Sequence, residues 1–150
     1  MQLLKVILQY LSILSKKELL LSIRRKNLIE KYATEFEIKS ALANPISSYS
    51  HGMKQKLVLI SAFLHDPKLI ILDEPFVGLD PKAAFKLKEI MHEFCAGGGA
   101  IFFSTHVLEV AEKLCDRVAI IKNGEVIKCG TMEEVKGDAS LESVFLESEK

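Results

Sequence analysis

The chain has 150 residues, with 20 Lys+Arg balanced by 20 Asp+Glu; that length suits one domain with a sizeable core, and the balance gives no electrostatic argument for nucleic acid or an anionic surface. Cys95, Cys115 and Cys129 lie far apart with no Cys-x-x-Cys pair, which excludes an obvious zinc site or disulfide framework and suits a reducing compartment. No charge-free apolar run approaches the roughly 20 residues of a membrane-spanning helix, and the N-terminal apolar run is broken by Lys5 and Gln9 and lacks a small-residue cleavage site.

Leu3, Leu4, Ile7, Leu8 and Leu11 recur at helical spacing, which predicts an amphipathic helix ending near Ser12 or Ser15. A second helical stretch runs from residue 17 to about 36. Its packing positions are Leu20, Ile23, Leu28 and Tyr32, and Lys16, Lys17, Arg24, Arg25 and Lys26 form a solvated face. Asn44-Pro45 marks a turn. Ser50 then suits the N-cap of a helix with Gln55 in its first turns. Unpaired amides at such a start form an anion site, and Gly52 lets a phosphate approach the backbone. The helix continues from Lys56 to about His65 with Leu57, Ile60 and Leu64 on its apolar face; His65 ends it and carries no chemistry.

Leu69 to Leu72 is a short apolar run bounded by Asp66-Pro67 and Glu74-Pro75, which predicts a parallel-sheet strand buried on both faces. Asp73 and Glu74 fall at its carboxyl end, where open α/β sheets place their ligands, and alternation lets the two carboxylates take different jobs. Gly78-Leu79-Asp80-Pro81 is a turn leading into a helix that runs to about Cys95, with Phe85, Leu87, Ile90, Met91 and Phe94 as apolar positions. Gly97-Gly98-Gly99 has no following lysine and reads as a flexible turn rather than a phosphate loop. Ala100 to Ser104 is the next buried strand, with Thr105-His106 at its carboxyl end. A short helix from Val107 to Leu114 precedes a strand over Arg117–Lys122. Asn123-Gly124 is a strong hairpin signal, with Glu125 to Cys129 pairing back. Gly130-Thr131 opens a helix at Met132 to Val135, and residues 140–150 form a terminal helix packing through Leu141, Val144, Phe145 and Leu146. The alternation of strands and helices is that of an α/β fold.

Four segments taken together carry a resemblance. Y-S-H-G-M-K-Q-K (Tyr49 to Lys56), L-I-I-L-D-E-P (Leu69 to Pro75), V-G-L-D-P (Val77 to Pro81) and Ser104-Thr105-His106 occur in this order. They resemble the motifs of the ATP-binding cassette ATPases that drive ABC transporters. The resemblance implies a P-loop-NTPase-like parallel sheet flanked by helices, with part of an α-helical subdomain and a C-terminal β-hairpin. Residues 1–66 would be the helical-subdomain portion, and 67–150 the C-terminal part of the RecA-like core. The implied cofactors are ATP and Mg²⁺. Asp73 would hold Mg²⁺ through water, Glu74 would polarise the attacking water, and His106 would link the γ-phosphate to Glu74. The signature usually reads L-S-G-G-Q; here Ser50, Gly52 and Gln55 carry over as contacts to ATP held by a second nucleotide-binding domain in a head-to-tail dimer, with Asp80 along that interface. The other implied partners are transmembrane permease subunits, met through the helical subdomain, with the protein cytoplasmic at the inner face of the cell membrane and no nucleic acid bound.

No glycine in the chain is followed by lysine, so no P-loop is present, and the glutamine loop has no convincing match. The family places its P-loop upstream of the helical subdomain. The expectation is therefore a C-terminal portion that exposes sheet edges and does not hydrolyse ATP alone. Two further readings remain open. The chain could be a non-catalytic module that complements a separate P-loop half or closes on a partner's ATP. It could also belong to soluble translation or DNA-repair ATPases with related motifs, although their second cassette or coiled-coil insertion is not seen.

Overall fold

The computed structural model describes residues 23–65 and 67–148. The predicted first helix, the start of the second and Asp66 lie outside the described residues. The elements are α1 (residues 23–35), 3₁₀ turns at Lys39–Ala43 and Ile46–Ser48, α2 (His51–Phe63), β1 (Leu69–Asp73), α3 (Pro81–Ala96), β2 (Ala100–Ser104), α4 (Leu108–Leu114), β3 (Arg117–Lys122), β4 (Glu125–Thr131), α5 (Met132–Lys136) and α6 (Leu141–Ser148). They group into two compact units, one with the segments up to Ile70 and Phe76–Ile101, the other with Ile71–Pro75 and the segment from Phe102 on. No described helix is long and apolar enough to cross a membrane.

In the first unit the core holds Ala33, Phe36, Ile38, Tyr49, Leu59, Ile60, Phe63, Leu87, Ile90 and Met91. The apolar face expected on α2 through Leu57, Ile60 and Leu64 is rotated. Leu59, Ile60 and Phe63 are the buried residues, while Leu57 and Leu64 are half-buried. The rotation follows from Phe63, whose ring packs 6.0 Å from Tyr32 and 5.6 Å, edge-on, from Phe94; aromatic pairs at these separations add to simple burial. On α3 the expected Leu87, Ile90 and Met91 are buried, but Phe85 faces outward. Ile23, expected to pack, is also exposed.

β1 pairs with β2. The Ala100 amide bonds the Lys68 carbonyl at 2.9 Å and the Glu74 amide bonds the Ser104 carbonyl at 3.2 Å, so the strands run in the same direction, as expected of this fold. Burial on both faces is not found. Ile70 is buried, but Ile71 is 71% exposed and Phe102 62% exposed. A parallel sheet is dry on both faces only where helices cover both, and the described residues cover one.

The second unit contains the predicted hairpin. Asn123 (φ +53°) and Gly124 (φ +83°) both adopt the left-handed conformation that a two-residue primed turn requires. Lys122 then faces Glu125, with an irregularity between Ile120 and Ile121. Thr131 caps α5 and forms a reciprocal capping box with Glu134. Ala111, Ile120, Val135 and Leu141 form the core of this unit, with Val144 and Phe145 packed against it; Leu146, expected to pack, is exposed. Glu112 joins the helices by accepting from the Lys136 ammonium and, at 3.1 Å, from the Leu141 amide. Those donors hold its carboxyl below the usual range.

Candidate functional site

Asp73 and Glu74 close β1, and Ser104 closes the adjacent β2. This parallel register brings three polar side chains to one strand edge. The Ser104 hydroxyl donates to Asp73 Oδ1. The Glu74 amide points back at Ser104, 3.2 Å from its carbonyl and 3.3 Å from its hydroxyl. Glu74 itself is left-handed at φ +45°, a conformation that costs a side-chain-bearing residue roughly 1–2 kcal/mol. It turns the Glu74 carboxylate toward His106. Glu74 Oε1 accepts the His106 backbone amide at 2.9 Å and lies 2.7 Å from His106 Nδ1. A carboxylate only accepts, so Nδ1 carries the proton. Both bonds fall on one oxygen, and Nε2 points away on a ring whose side chain is 73% exposed. The Thr105 hydroxyl accepts the Val107 amide at 3.1 Å and steadies the loop.

The structure thus brings Asp73, Glu74 and His106 together. Ser104 completes the group, a residue that sequence reading placed at the strand end without giving it a role. The available signal was its register beside Asp73 at the end of the neighbouring strand. Among the described residues no cluster of three His, Cys, Asp or Glu could hold a metal by itself. The hard carboxylate oxygens of Asp73 fit Mg²⁺, which commonly takes one or two protein carboxylates and completes its shell with water and phosphate oxygens.

Ser50, Gly52 and Gln55 belong to the first unit. Ser50 is the N-cap of α2 (φ −62°, ψ 166°), and its hydroxyl accepts the Met53 amide at 3.3 Å. The loop leading into it is pinned by buried Tyr49, whose hydroxyl donates to the Ala41 carbonyl at 2.7 Å. Gln55 is half-buried one residue beyond the first turn. Gly52 has a packing role that the sequence did not reveal, since a Cβ there would stand 2.8 Å from the Gly78 carbonyl oxygen. Gly78 is itself left-handed (φ +79°), and a Cβ on it would meet the His51 ring at 2.9 Å. The α2 start and the 77–80 turn are therefore seated against each other through two glycines.

Asp80 fastens the same junction. Its Oδ1 accepts the Ala83 amide at 2.9 Å as the N-cap of α3, and its Oδ2 accepts from Lys56 at 2.7 Å. The Lys56 side chain is only 12% exposed. Chiefly through the Lys56 hydrogen bond, and then through the Ala83 amide, the Asp80 carboxyl is lowered to about 2. Because the folded-state value lies below the ordinary 3.8, this contribution to stability is complete above that pH and is lost as pH falls through about 2. Asparagine caps as well as aspartate, so Asp80→Asn isolates the ion pair. Urea unfolding is expected to show the variant less stable at neutral pH by under ~1 kcal/mol, with the difference closing as pH falls from 3.8 to about 2.

Residues 5–112 match a family model described as AAA domain, putative AbiEii toxin, Type IV TA system. The chain is 43% identical to the ABC-type transporter ATP-binding protein EcsA of Bacillus subtilis, over 77% of this chain and 49% of that protein. It is 50% identical to the uncharacterized ABC transporter ATP-binding protein YxlF of the same organism, over 61% of this chain and 30% of that protein. A solved structure titled as an ATP-binding subunit of an ABC transporter superposes with a TM-score of 0.81 at 38% identity, covering 85% of this chain and 55% of that one. The chain spans about half the length of EcsA, and less of YxlF.

Proposed function

This chain belongs to the AAA-domain family, with a nucleotide-binding domain of the ABC transporter type, and on that premise we propose that it supplies the water-activating side of an ATP site that drives transport. The observation that carries the proposal is the Glu74–His106 pair, 2.7 Å apart at the carboxyl end of a parallel strand. Glu74 is the general base, because a carboxylate at this edge is within reach of a water lying between it and a γ-phosphate. His106 holds Glu74 through Nδ1 and its own amide, which leaves Oε2 for the water and, when the ring carries both protons, Nε2–H to donate to a phosphate oxygen. Asp73 holds Mg²⁺ through water, and the ion when bound neutralises charge developing on the phosphates. Ser50, Gly52 and Gln55 close on ATP held by a second nucleotide-binding domain in a head-to-tail dimer, with the α2 N-terminus favouring the anion.

On this reading residues 1–66 are the helical-subdomain portion and 67–150 the C-terminal part of the ATPase core. The partners are transmembrane permease subunits, and the working place is the cytoplasmic face of the membrane. A second reading, a non-catalytic module that complements a separate P-loop half or closes on a partner's ATP, draws on the exposed apolar residues Ile71 and Phe102 on the two strands, side chains that suit a face covered by another chain. The experiment that separates the readings is ATP turnover by the chain mixed with a separately expressed P-loop fragment of an ABC transporter ATPase. Turnover that appears only in the mixture supports the catalytic reading. Nucleotide binding without turnover supports the non-catalytic one.

A further inference from the structure

We propose that Ser104 is a positioning residue that sets both carboxylates of the acidic pair, an inference that rests on reading Asp73 as the metal-facing carboxylate and Glu74 as the base. Its hydroxyl has one proton and two lone pairs. The proton goes to Asp73 Oδ1 and a lone pair receives the Glu74 amide at 3.3 Å, with the Ser104 carbonyl sharing that amide at 3.2 Å. One side chain on β2 thereby fixes two consecutive residues on β1. Asp73 is held by Oδ1, so that Oδ2 is the oxygen left to face a metal-bound water. Glu74 is held by its amide in the left-handed conformation (φ +45°) that aims its carboxylate at His106. Without the hydroxyl, Asp73 loses the donor that selects its rotamer and Oδ2 is no longer presented in one direction. The carbonyl bond to Glu74 remains, so the defect falls on Asp73 more than on the fold. Outer residues orienting a metal-binding carboxylate typically matter at this level in other proteins.

The test compares Ser104→Thr with Ser104→Val in the 150-residue chain. These variants share one shape, both suit a strand, and they differ only in the hydroxyl. Mn²⁺ alone is the probe, read as paramagnetic broadening of the backbone amide resonances of Asp73 to Glu74 and Ser104 to His106, with the thermal midpoint measured alongside. The expected result is half-broadening at the wild-type Mn²⁺ concentration for Ser104→Thr and at a roughly fivefold higher concentration for Ser104→Val, the size of one hydrogen bond's effect. Equal Mn²⁺ response in the two variants overturns the role of Ser104 and leaves Asp73 as a metal ligand. No broadening of these amides in the wild-type chain overturns the metal reading of Asp73 and this inference with it. A Ser104→Val chain whose midpoint drops along with its Mn²⁺ response, and whose broadening returns to the Ser104→Thr level at a temperature where it is folded, assigns the serine to structure and overturns the proposal.

Discussion

Glu74→Gln is expected to lower ATP turnover by about 10²–10⁴-fold in the mixture with a P-loop fragment of an ABC transporter ATPase, while nucleotide affinity stays within about threefold. Glutamine keeps the shape of the side chain and can still accept the His106 amide through its carbonyl oxygen, so positioning survives. What it lacks is a group able to take a proton from water at neutral pH. The change therefore lands on kcat, the signature of an interaction made in the transition state. Turnover is followed by phosphate release, and affinity by fluorescent ATP titration with Mg²⁺. A matching rise in KM with unchanged kcat would assign Glu74 to nucleotide binding instead.

Gly52→Ala is the second large effect. The Cβ it adds stands 2.8 Å from the Gly78 carbonyl oxygen, and both sides of that contact are backbone, so no flexible side chain can swing away. Gly78 is itself in the left-handed conformation (φ +79°), so any shift of that turn must keep a backbone that few residues adopt. Overpacking of this kind typically costs about 1–3 kcal/mol. Urea unfolding is expected to show that loss with an unchanged m-value, together with weaker docking of α2 on the 77–80 turn, reported as faster amide exchange at Leu79 and Ala83. A fully stable Gly52→Ala chain would mean the two loops are not seated as described, and the glycine would then owe its place to phosphate approach alone.

Much of the fold was legible in local sequence. The Asn123-Gly124 turn, the Ser50 cap and the Thr131 helix start are set by the residues at each position, and each adopts the geometry its chemistry favours. Burial was less legible. Phe85, Leu146 and Ile71 are apolar residues at plausible core positions that remain exposed, because periodicity says which residues share a face but not whether anything covers that face. The helix α2 was misrotated for a related reason. Leu57 and Leu64 fit the helical period as well as Phe63 does, and only the aromatic contacts with Tyr32 and Phe94 decide the orientation.

At the site, Asp73, Glu74 and His106 were legible as strand-end residues, but their grouping required the parallel register of β1 and β2. Ser104 became visible as a partner only once that register was fixed. Lys56 was hidden within the helix, because its pairing with Asp80 spans 24 residues of sequence and depends on how the 77–80 turn meets α2.

The pairing of Glu74 with His106 as one hydrolytic unit is the central claim, and a double-mutant cycle on phosphate release in the mixture with the P-loop fragment tests it most directly. Glu74→Gln, His106→Ala and the double variant would be compared at saturating Mg-ATP. Residues that act as a unit are strongly non-additive, so the predicted result is a double variant no slower than Glu74→Gln alone, within about threefold. Losses that multiply, with the double variant slower by the product of the two single effects, would contradict the account and return Glu74 and His106 to independent roles.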